Sequence, residues 1–493
     1  MRIDRNCCLT PIGAQTCAGD LQPPVAPRPL RLRFVLAGIA MSACACAPLQ
    51  NQQNVSAGVE VPAAWASRDD FGAAGTAGLA QWWQRFDDPI LQQLVTQALQ
   101  ANTSVLSAQA ALRQARALQD VAKAALWPAL GGSVTAQHNT GGVDGASNRF
   151  SAGLDASWEL DIFGANRSAR DASTANAQAS AASLGDVQVS IAAEVALDYI
   201  SLRGAQTRLR IASDNLVSQQ ETLQLTDWRQ RAGLVTALQV EQARAAVEQT
   251  RAQLPTLQTS IAQSQHALAV LIGQPPAALA MPLAAPQPVP QARDDFALGI
   301  PADTLRQRPD VRAAEFQVRA AWAHVAQADA ARWPDLRLGG SVGASAATLA
   351  GLTNGAAVVS SLLASASVSL FDSGALSAQV RAQQAASDQA SMAYRAAVLV
   401  ALKEVEDALV AQHSDRERLQ RLQAAALAAA NASLMARQRF GSGLVDFQVV
   451  LETQRTQLNT QDSVASAFAD VSSDQVRLYK ALGGGWNADT TNE

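Results

Sequence analysis

The sequence predicts a mainly α-helical chain with a membrane β-barrel, built from one unit of long coiled-coil helices and two strands used twice. Three observations lead there. Leu202, Leu209, Leu216 and Leu223 recur every seven residues, as do Val240, Val247, Leu254, Ile261 and Leu268. Sustained heptads indicate coiled-coil packing rather than a globular core. Phe150, Ala152, Leu154, Ala156, Trp158 and Leu160 alternate with Ser151, Gly153, Asp155, Ser157 and Glu159. One apolar and one polar face suits a half-buried sheet, and equally a barrel with lipid outside and water inside. Third, both patterns recur later in the chain at a nearly constant offset.

The chain is 48% apolar but only 5% aromatic, a balance suited to Ala/Leu/Gln helices rather than an aromatic-rich core. A net charge of -4 argues against a nucleic-acid partner. Cys7, Cys8, Cys17, Cys44 and Cys46 all lie in the first tenth, so the rest has neither a disulfide framework nor a cysteine metal site. His138, His266, His324 and His413 lack ligand spacing, and the carboxylate pairs Glu404/Glu406 and Asp69/Asp70 lack a nucleophile or histidine partner. Gly483-Gly484-Gly485 runs into Trp486 and is no phosphate loop. Neither an enzyme nor a cofactor is expected.

Arg28, Arg31 and Arg33 precede the apolar run from Phe34 to Met41, which ends in Ser42-Ala43-Cys44-Ala45-Cys46. A basic region, a short apolar region and small residues read as a secretory signal over residues 1–43, too short to span a membrane. Its removal takes away five Arg and two Asp, shifting the net charge from -4 to -7. Cysteine directly after small residues resembles the lipobox of bacterial lipoproteins. By that resemblance Cys44, or alternatively Cys46, carries a covalent lipid.

Residues 44–88 read as an irregular, extended segment ending in Trp82-Trp83-Gln-Arg-Phe86-Asp87-Asp88. The first unit covers 89–273. One helix is expected from Pro89 to Trp127, where Trp127-Pro128 stops it. A weak strand follows, with Leu130, Gly132, Val134 and Ala136 on one face, and then the strand ending near Leu160. From Gly164 to Gly233 a single helix on the order of 100 Å long is expected. The next run contains Pro255, which predicts a kink or a local break. Residues 274–298 are rich in Pro and Ala and read as a linker. The second unit covers 299–485, leaving 486–493 as a tail.

Trp333-Pro334 repeats Trp127-Pro128 at offset 206. Glu404-Val405, Arg418-Leu419, Gly443-Leu444-Val445 and Leu482-Gly483 repeat Glu194-Val195, Arg208-Leu209, Gly233-Leu234-Val235 and Ile272-Gly273 at offset 210. This is a tandem duplication. The second unit has strands of its own: Leu336, Leu338, Gly340, Val342 and Ala344 share one face, and Leu362, Ala364, Ala366, Val368 and Leu370 another. Gly233 and Gly443 stand between helical runs, where a tight reversal needs φ > 0. Four strands cannot close a membrane barrel, for which about eight are the minimum. Three chains would supply twelve, so a membrane role requires oligomerisation.

With these residues in view, the chain resembles the TolC-like outer-membrane efflux factors, in their lipoprotein branch (NodT/OprM-like). The matching stretches are the Cys44 lipobox, Trp83-x-x-Phe86-x-Asp88-Pro89, Trp158-Glu-Leu-Asp-Ile-Phe-Gly164, Arg308-Pro-Asp-Val-Arg-Ala-Ala-Glu315, Leu370-Phe-Asp-Ser-Gly374 and Gly443-Leu-Val-Asp-Phe447. They span about residues 83 to 483. The resemblance implies a homotrimer with a 12-stranded barrel in the outer membrane and an α-helical tunnel through the periplasm. It implies a lipid-anchored channel that takes small molecules from an inner-membrane transporter through a periplasmic adaptor. Gly233, Leu234, Val235, Gly443, Leu444 and Val445 would mark the adaptor-docking tips. Asp446 matches in position the acidic ring that narrows the tunnel entrance, although an acid there also suits a helix N-cap. Two other readings stand beside this one. A channel for type I protein export differs only in its partners, and a periplasmic coiled-coil scaffold would have no use for two-faced strands.

The lipobox is directly testable. Cys44→Ala is expected to abolish acylation of the mature protein, read from the mass of its N-terminal peptide; acylation that survives in Cys44→Ala and stops in Cys46→Ala would move the anchor to Cys46.

Overall fold

From their 22-residue helix onward the two units repeat the same main elements in the same order, and unit 1 has one further helix before it. In the computed structural model, which describes residue 58 and residues 79–140, 146–292 and 302–486, unit 1 holds helices α1 (Pro89–Ala101) and α2 (Thr103–Ala124), strands β1 (Ala129–Asn139) and β2 (Ser147–Glu159), and helices α3 (Ala165–Arg231) and α4 (Ala237–Leu271). Unit 2 holds α5 (Pro309–Ala330), β3 (Asp335–Ala346), β4 (Ala357–Ser367), α6 (Ala375–Gly441) and α7 (Phe447–Ala481). All of these lie within one compact unit, Val55–Glu493. Helices α2 and α5 each have 22 residues, α3 and α6 each 67, and α4 and α7 each 35. The step from offset 206 to 210 falls in the strand region: β3 is one residue longer than β1, and the β3–β4 connection holds the extra helical turn Gly351–Asn354.

Proline-free runs of Ala, Leu, Gln and Arg suit a helix of about 100 Å, since none of these residues interrupts the i→i−4 ladder. Both long helices start the same way. Gly164 and Gly374 occupy the N-cap in the left-handed region, at φ 85° and 84°. Neither has a side chain to cap with, so a carboxylate just upstream takes over. Asp161 accepts from the backbone N–H of Asn166 and Arg167 at 3.0 and 2.9 Å, and Asp372 from Gly374 and Leu376 at 2.8 Å each. Negative charge there is favoured by the helix dipole.

Three expectations change, and the one at Pro255 loses its break. The helix expected over Pro89–Trp127 is broken at Asn102. Its Oδ1 caps α2 through the Ser104 N–H at 2.8 Å, while its Nδ2 donates to the Leu271 carbonyl at the end of α4, 2.9 Å away. Arg308 does the second job in unit 2, donating to the Ala481 carbonyl at 2.7 Å. Helix α4 runs through Pro255 without a break. Pro255 lies on the exposed side, where water can satisfy the carbonyl that lost its donor, and Val247 and Leu257 are buried on either side of it.

The segment before Pro89 is not extended throughout, because Leu79–Phe86 forms 3-10 turns whose Trp82, Trp83 and Phe86 are buried. Nor is 274–292 a loose linker. Leu279, Leu283, Val289 and Ala292 are buried in the main core, and the fully buried Arg203 holds the Ala285 carbonyl at 2.8 Å while Gln206 holds that of Leu283.

Helix α3 is the spine: α2, α4, α5 and α7 all pack against it, and α6 packs on α5 and α7. The main core forms where both units begin and end. Trp82 stacks on Tyr479 at 5.3 Å between centroids and meets Trp83 and Phe86 edge-on. Leu91, Val95, Tyr199, Ile200, Leu202 and Leu268 complete it. The Tyr199 hydroxyl donates to Asp88 at 2.8 Å, and Asp88 in turn caps α1. The strands form one antiparallel meander in the order β1-β2-β3-β4.

Because Trp82 joins the segment before unit 1 to the last helix of unit 2, Trp82→Ala is expected to cost about 3–5 kcal/mol. A thermal or denaturant unfolding series against the parent chain reads that loss.

Candidate functional site

The sheet sorts its side chains by face. Register places Leu130 opposite Ala156, Leu154 opposite Val342, Trp158 opposite Leu338 and Gly340 opposite Leu362, all on one side. The other side carries Thr135 opposite Ser151, Asp155 opposite Ser341, Glu159 opposite Arg337 and Ser341 opposite Ser361. The polar face is knitted together: Thr135 and Ser151 hydroxyls lie 2.5 Å apart, Ser341 and Ser361 2.8 Å, and Arg337 reaches Glu159 at 3.3 Å. Its opposite is bare, with Leu130 73%, Val134 79% and Leu362 86% exposed. Such a face in water would aggregate; against hydrocarbon it is at rest. Among the described residues the outer edges of β1 and β4 have no strand partner. Among the described residues no helix is long and apolar enough to cross a membrane.

Trp127, Trp158, Phe163, Trp333 and Phe371 gather at the end of the sheet nearest the long helices, a placement fixed by the strand register. Phe163 stacks on Trp333 at 5.5 Å, and the Trp158 indole N–H donates to the Leu126 carbonyl. Aromatic rings with one apolar and one polar side favour the level of lipid headgroups.

At the far end of the long helices are two hairpin tips. Each helix ends in the same two-bond cap: Gly233 N–H donates to Gln230 and Leu234 N–H to Arg229, as Gly443 does to Phe440 and Leu444 to Arg439. Gly233 and Gly443 sit at φ 75° and 72°, as the turn requires. Leu234 and Leu444 are each 74% exposed. Val235 and Val445 are half-buried beside them. Asp446 is exposed and is the N-cap of α7, its Oδ1 accepting from the Gln448 N–H at 3.5 Å. Its counterpart in unit 1, 210 residues earlier, is Thr236, so this position is acidic in one tip and neutral in the other.

Arg229 ties the tips together. Its guanidinium lies 4.5 Å over the Phe440 ring and donates to the carbonyls of Phe440 and Gly441, both at 3.1 Å. Further up, Gln454 bonds to Thr222, Asn215 to Gln461, and Arg208 to both oxygens of Asp462. Asp474, 1% exposed and held by Arg477 at 2.7 Å, sits in the seam between α7 and α6. Burial pushes its carboxyl up to about 6; nearby Asp415 adds to this, and Arg477 offsets part.

A sheet with a lipid-type face, an aromatic band at its base and helices far longer than any globular core needs are the parts of an envelope channel. A family model described as outer membrane efflux protein matches residues 94–274 and 300–484. The chain belongs to the outer membrane efflux protein family. It is 34% identical over 457 residues to the pyoverdine export outer membrane protein OpmQ of Pseudomonas putida, covering 88% of this chain and 94% of that one. To the outer membrane protein OprJ of Pseudomonas aeruginosa it is 32% identical, covering 92% and 95%. The solved outer-membrane channel OprN superposes with a TM-score of 0.80 at 36% identity, over 87% of this chain and 98% of that one. The family and its solved neighbours are channel proteins, and this efflux protein is an outer-membrane component of an efflux system that extends into the periplasm.

The two predicted tips therefore stand at one end of the efflux protein and its lipid-type sheet at the other. Cys44 and Cys46 lie outside the described residues. The paired caps Asn102 and Arg308 were within reach of the sequence, since they stand 206 residues apart like Trp127 and Trp333. The Arg229 clasp had no sequence signal, because its partners are backbone carbonyls.

The raised Asp474 pKa has a sign. Its contribution to stability is complete below the ordinary value of 3.8 and is lost as pH rises through about 6, where burial penalises the anion. Asp474→Asn is expected to stabilise the fold by about 1–3 kcal/mol at pH 8 and to flatten the pH dependence between 4 and 6, checked by melting curves across pH.

Proposed function

We propose that three copies of this chain close a 12-stranded barrel in the outer membrane and continue it as an α-helical tunnel through the periplasm. The observation that carries this is the open sheet with one lipid-type face and two unpartnered edges. Lipid cannot satisfy the N–H and C=O groups along β1 and β4. The duplication supplies the partner. Inside the chain, the second strand of unit 1 pairs with the first strand of unit 2; the same contact repeated joins β4 of one copy to β1 of the next. Four strands per chain then close as a ring of three, with Leu130, Val134 and Leu362 toward lipid and the Ser/Thr face toward water.

On this reading the tips at Gly233, Leu234, Val235 and Gly443, Leu444, Val445 receive a periplasmic adaptor, through which an inner-membrane transporter delivers cargo. Two exposed leucines at matching positions, Leu234 and Leu444, offer apolar anchors for it. The cargo class is small molecules, in line with relatives named for pyoverdine export and toluene efflux. Acylation at Cys44 (or Cys46) would add a lipid anchor beside the barrel. Asp446 supplies one carboxylate per copy, so three face the axis at the periplasmic entrance. Like charges resist complete closure and favour cations.

Purified protein in mild detergent should have the mass of three chains by light scattering; a stable monomer would sink the barrel. Asp446→Ala should raise single-channel conductance and weaken cation preference in planar bilayers. Unchanged conductance and selectivity would remove Asp446 from the constriction and leave it a helix cap.

A further inference from the structure

Within one chain the two hairpins meet where α3 of unit 1 lies against α7 of unit 2. Three side-chain pairs bond along this seam: Arg208 with Asp462 at 2.7 Å, Asn215 with Gln461 at 2.9 Å and Thr222 with Gln454 at 3.0 Å. Arg229 then clasps the carbonyl end of α6. Because the units are duplicates, shifting the numbers by 210 names the residues that would meet if α6 lay on an α4 in the same way. Arg418, Ala425, Ala432 and Arg439 replace Arg208, Asn215, Thr222 and Arg229; Ala252, Arg251 and Arg244 replace Asp462, Gln461 and Gln454.

In a single chain α4 packs on α3, and α6 on α5 and α7, so this second seam is not made. Its two faces are bare. Ala425, Ala432, Arg244, Arg251 and Ala252 are all exposed, whereas Gln454, the duplicate of Arg244, is 4% exposed in the closed seam. We propose that this α6 face docks on α4 of a second copy of the chain, with Arg439 capping the Gln230 and Arg231 carbonyls that end α3 of that copy. The inference rests on the trimeric reading and adds to it which residues form the joint and how firmly.

The joint is built differently from the seam it copies. Ala425 opposite Arg251 and Ala432 opposite Arg244 cannot bond where Asn215–Gln461 and Thr222–Gln454 do. Arg251 and Arg244 are already paired to Glu248 and Glu241 of their own helix at 2.6 and 2.7 Å. Arg418 turns instead to Asp415 and Asp470 of its own chain, at 3.4 and 3.3 Å. Alanines there give the aliphatic stems of the arginines a smooth surface to lie on. One directional tether remains, Arg439 on two carbonyls at a helix C-terminus, where a cation is favoured. Even that lacks the aromatic platform that Phe440 gives Arg229, since Gln230 stands in its place. Hairpins are thus zipped within a copy and only tethered between copies, so the tip of the assembly widens at the boundaries between chains.

Cysteine cross-linking in the full-length protein tests this. On oxidation, Ala432→Cys with Arg244→Cys is expected to give thiol-reversible covalent dimers and trimers, while Thr222→Cys with Gln454→Cys closes within one chain and leaves the mass unchanged. The single-cysteine variants, which control for Cys44 and Cys46, should give neither. A native mass of three chains without covalent species from the first pair overturns the docking face but keeps the trimer. A native mass of one chain overturns the trimeric reading itself. Adding Arg439→Ala to the first pair should cut the cross-linking yield several-fold, and an unchanged yield overturns the tether.

Discussion

Every N–H and C=O along a strand must find a partner, and hydrocarbon offers none. That single requirement governs this chain. A four-stranded meander with an apolar face leaves the outer edges of β1 and β4 without a strand partner among the described residues, and the proposed ring of three copies would supply one. Each strand pair leads directly into one of the long helices through Gly164 or Gly374. The compact core lies between sheet and tips, where the ends of both units are bound together.

That core shows how duplicated parts diverge without losing their task. Asn102 and Arg308 stand at matching places, and each caps the last carbonyl of the 35-residue helix that ends its own unit. Asn102 does so as a neutral amide. Arg308 does so as a cation and therefore also gathers Asp310 and Glu404, at 2.8 and 2.7 Å. Glu194, the counterpart of Glu404, has the neutral Asn102 in place of that cation, and the half-buried Asp198 one helical turn on is pushed up to about 6, mainly by burial and further by Glu194.

Periodic features were the ones the sequence disclosed. The heptads from Leu202 to Leu223 and from Val240 to Leu268, the two-faced strand around Leu154 and the turns at Gly233 and Gly443 each follow from local geometry. The register of β2 against β3 did not, although the alternation correctly sorted the faces. Val368 and Leu370 continued the alternation on paper, but β4 ends at Ser367. Features that depend on distant partners stayed hidden. Asn102 stops a helix because a carbonyl 169 residues away in sequence accepts its amide. Leu279 and Leu283 look like spacers in a proline-rich run until Arg203 and Gln206 fix the backbone beside them. Pro255 could kink or break its helix on sequence alone, and only the break is removed by the continuous α4.

The equal helix lengths carry a further consequence. Since α3 matches α6 and α4 matches α7 residue for residue, both tips finish at the same level, although one chain writes each length twice. Deleting a heptad from both arms of one hairpin would leave it about 10 Å short of its neighbour. In a ring of three chains the rim would become a crown of alternating teeth. Such a tunnel can be lengthened or shortened only in step, by matched changes at two sites in one gene. The duplicated hairpins therefore work as a ruler for the depth of the compartment they cross, and mutation cannot recalibrate it one mark at a time.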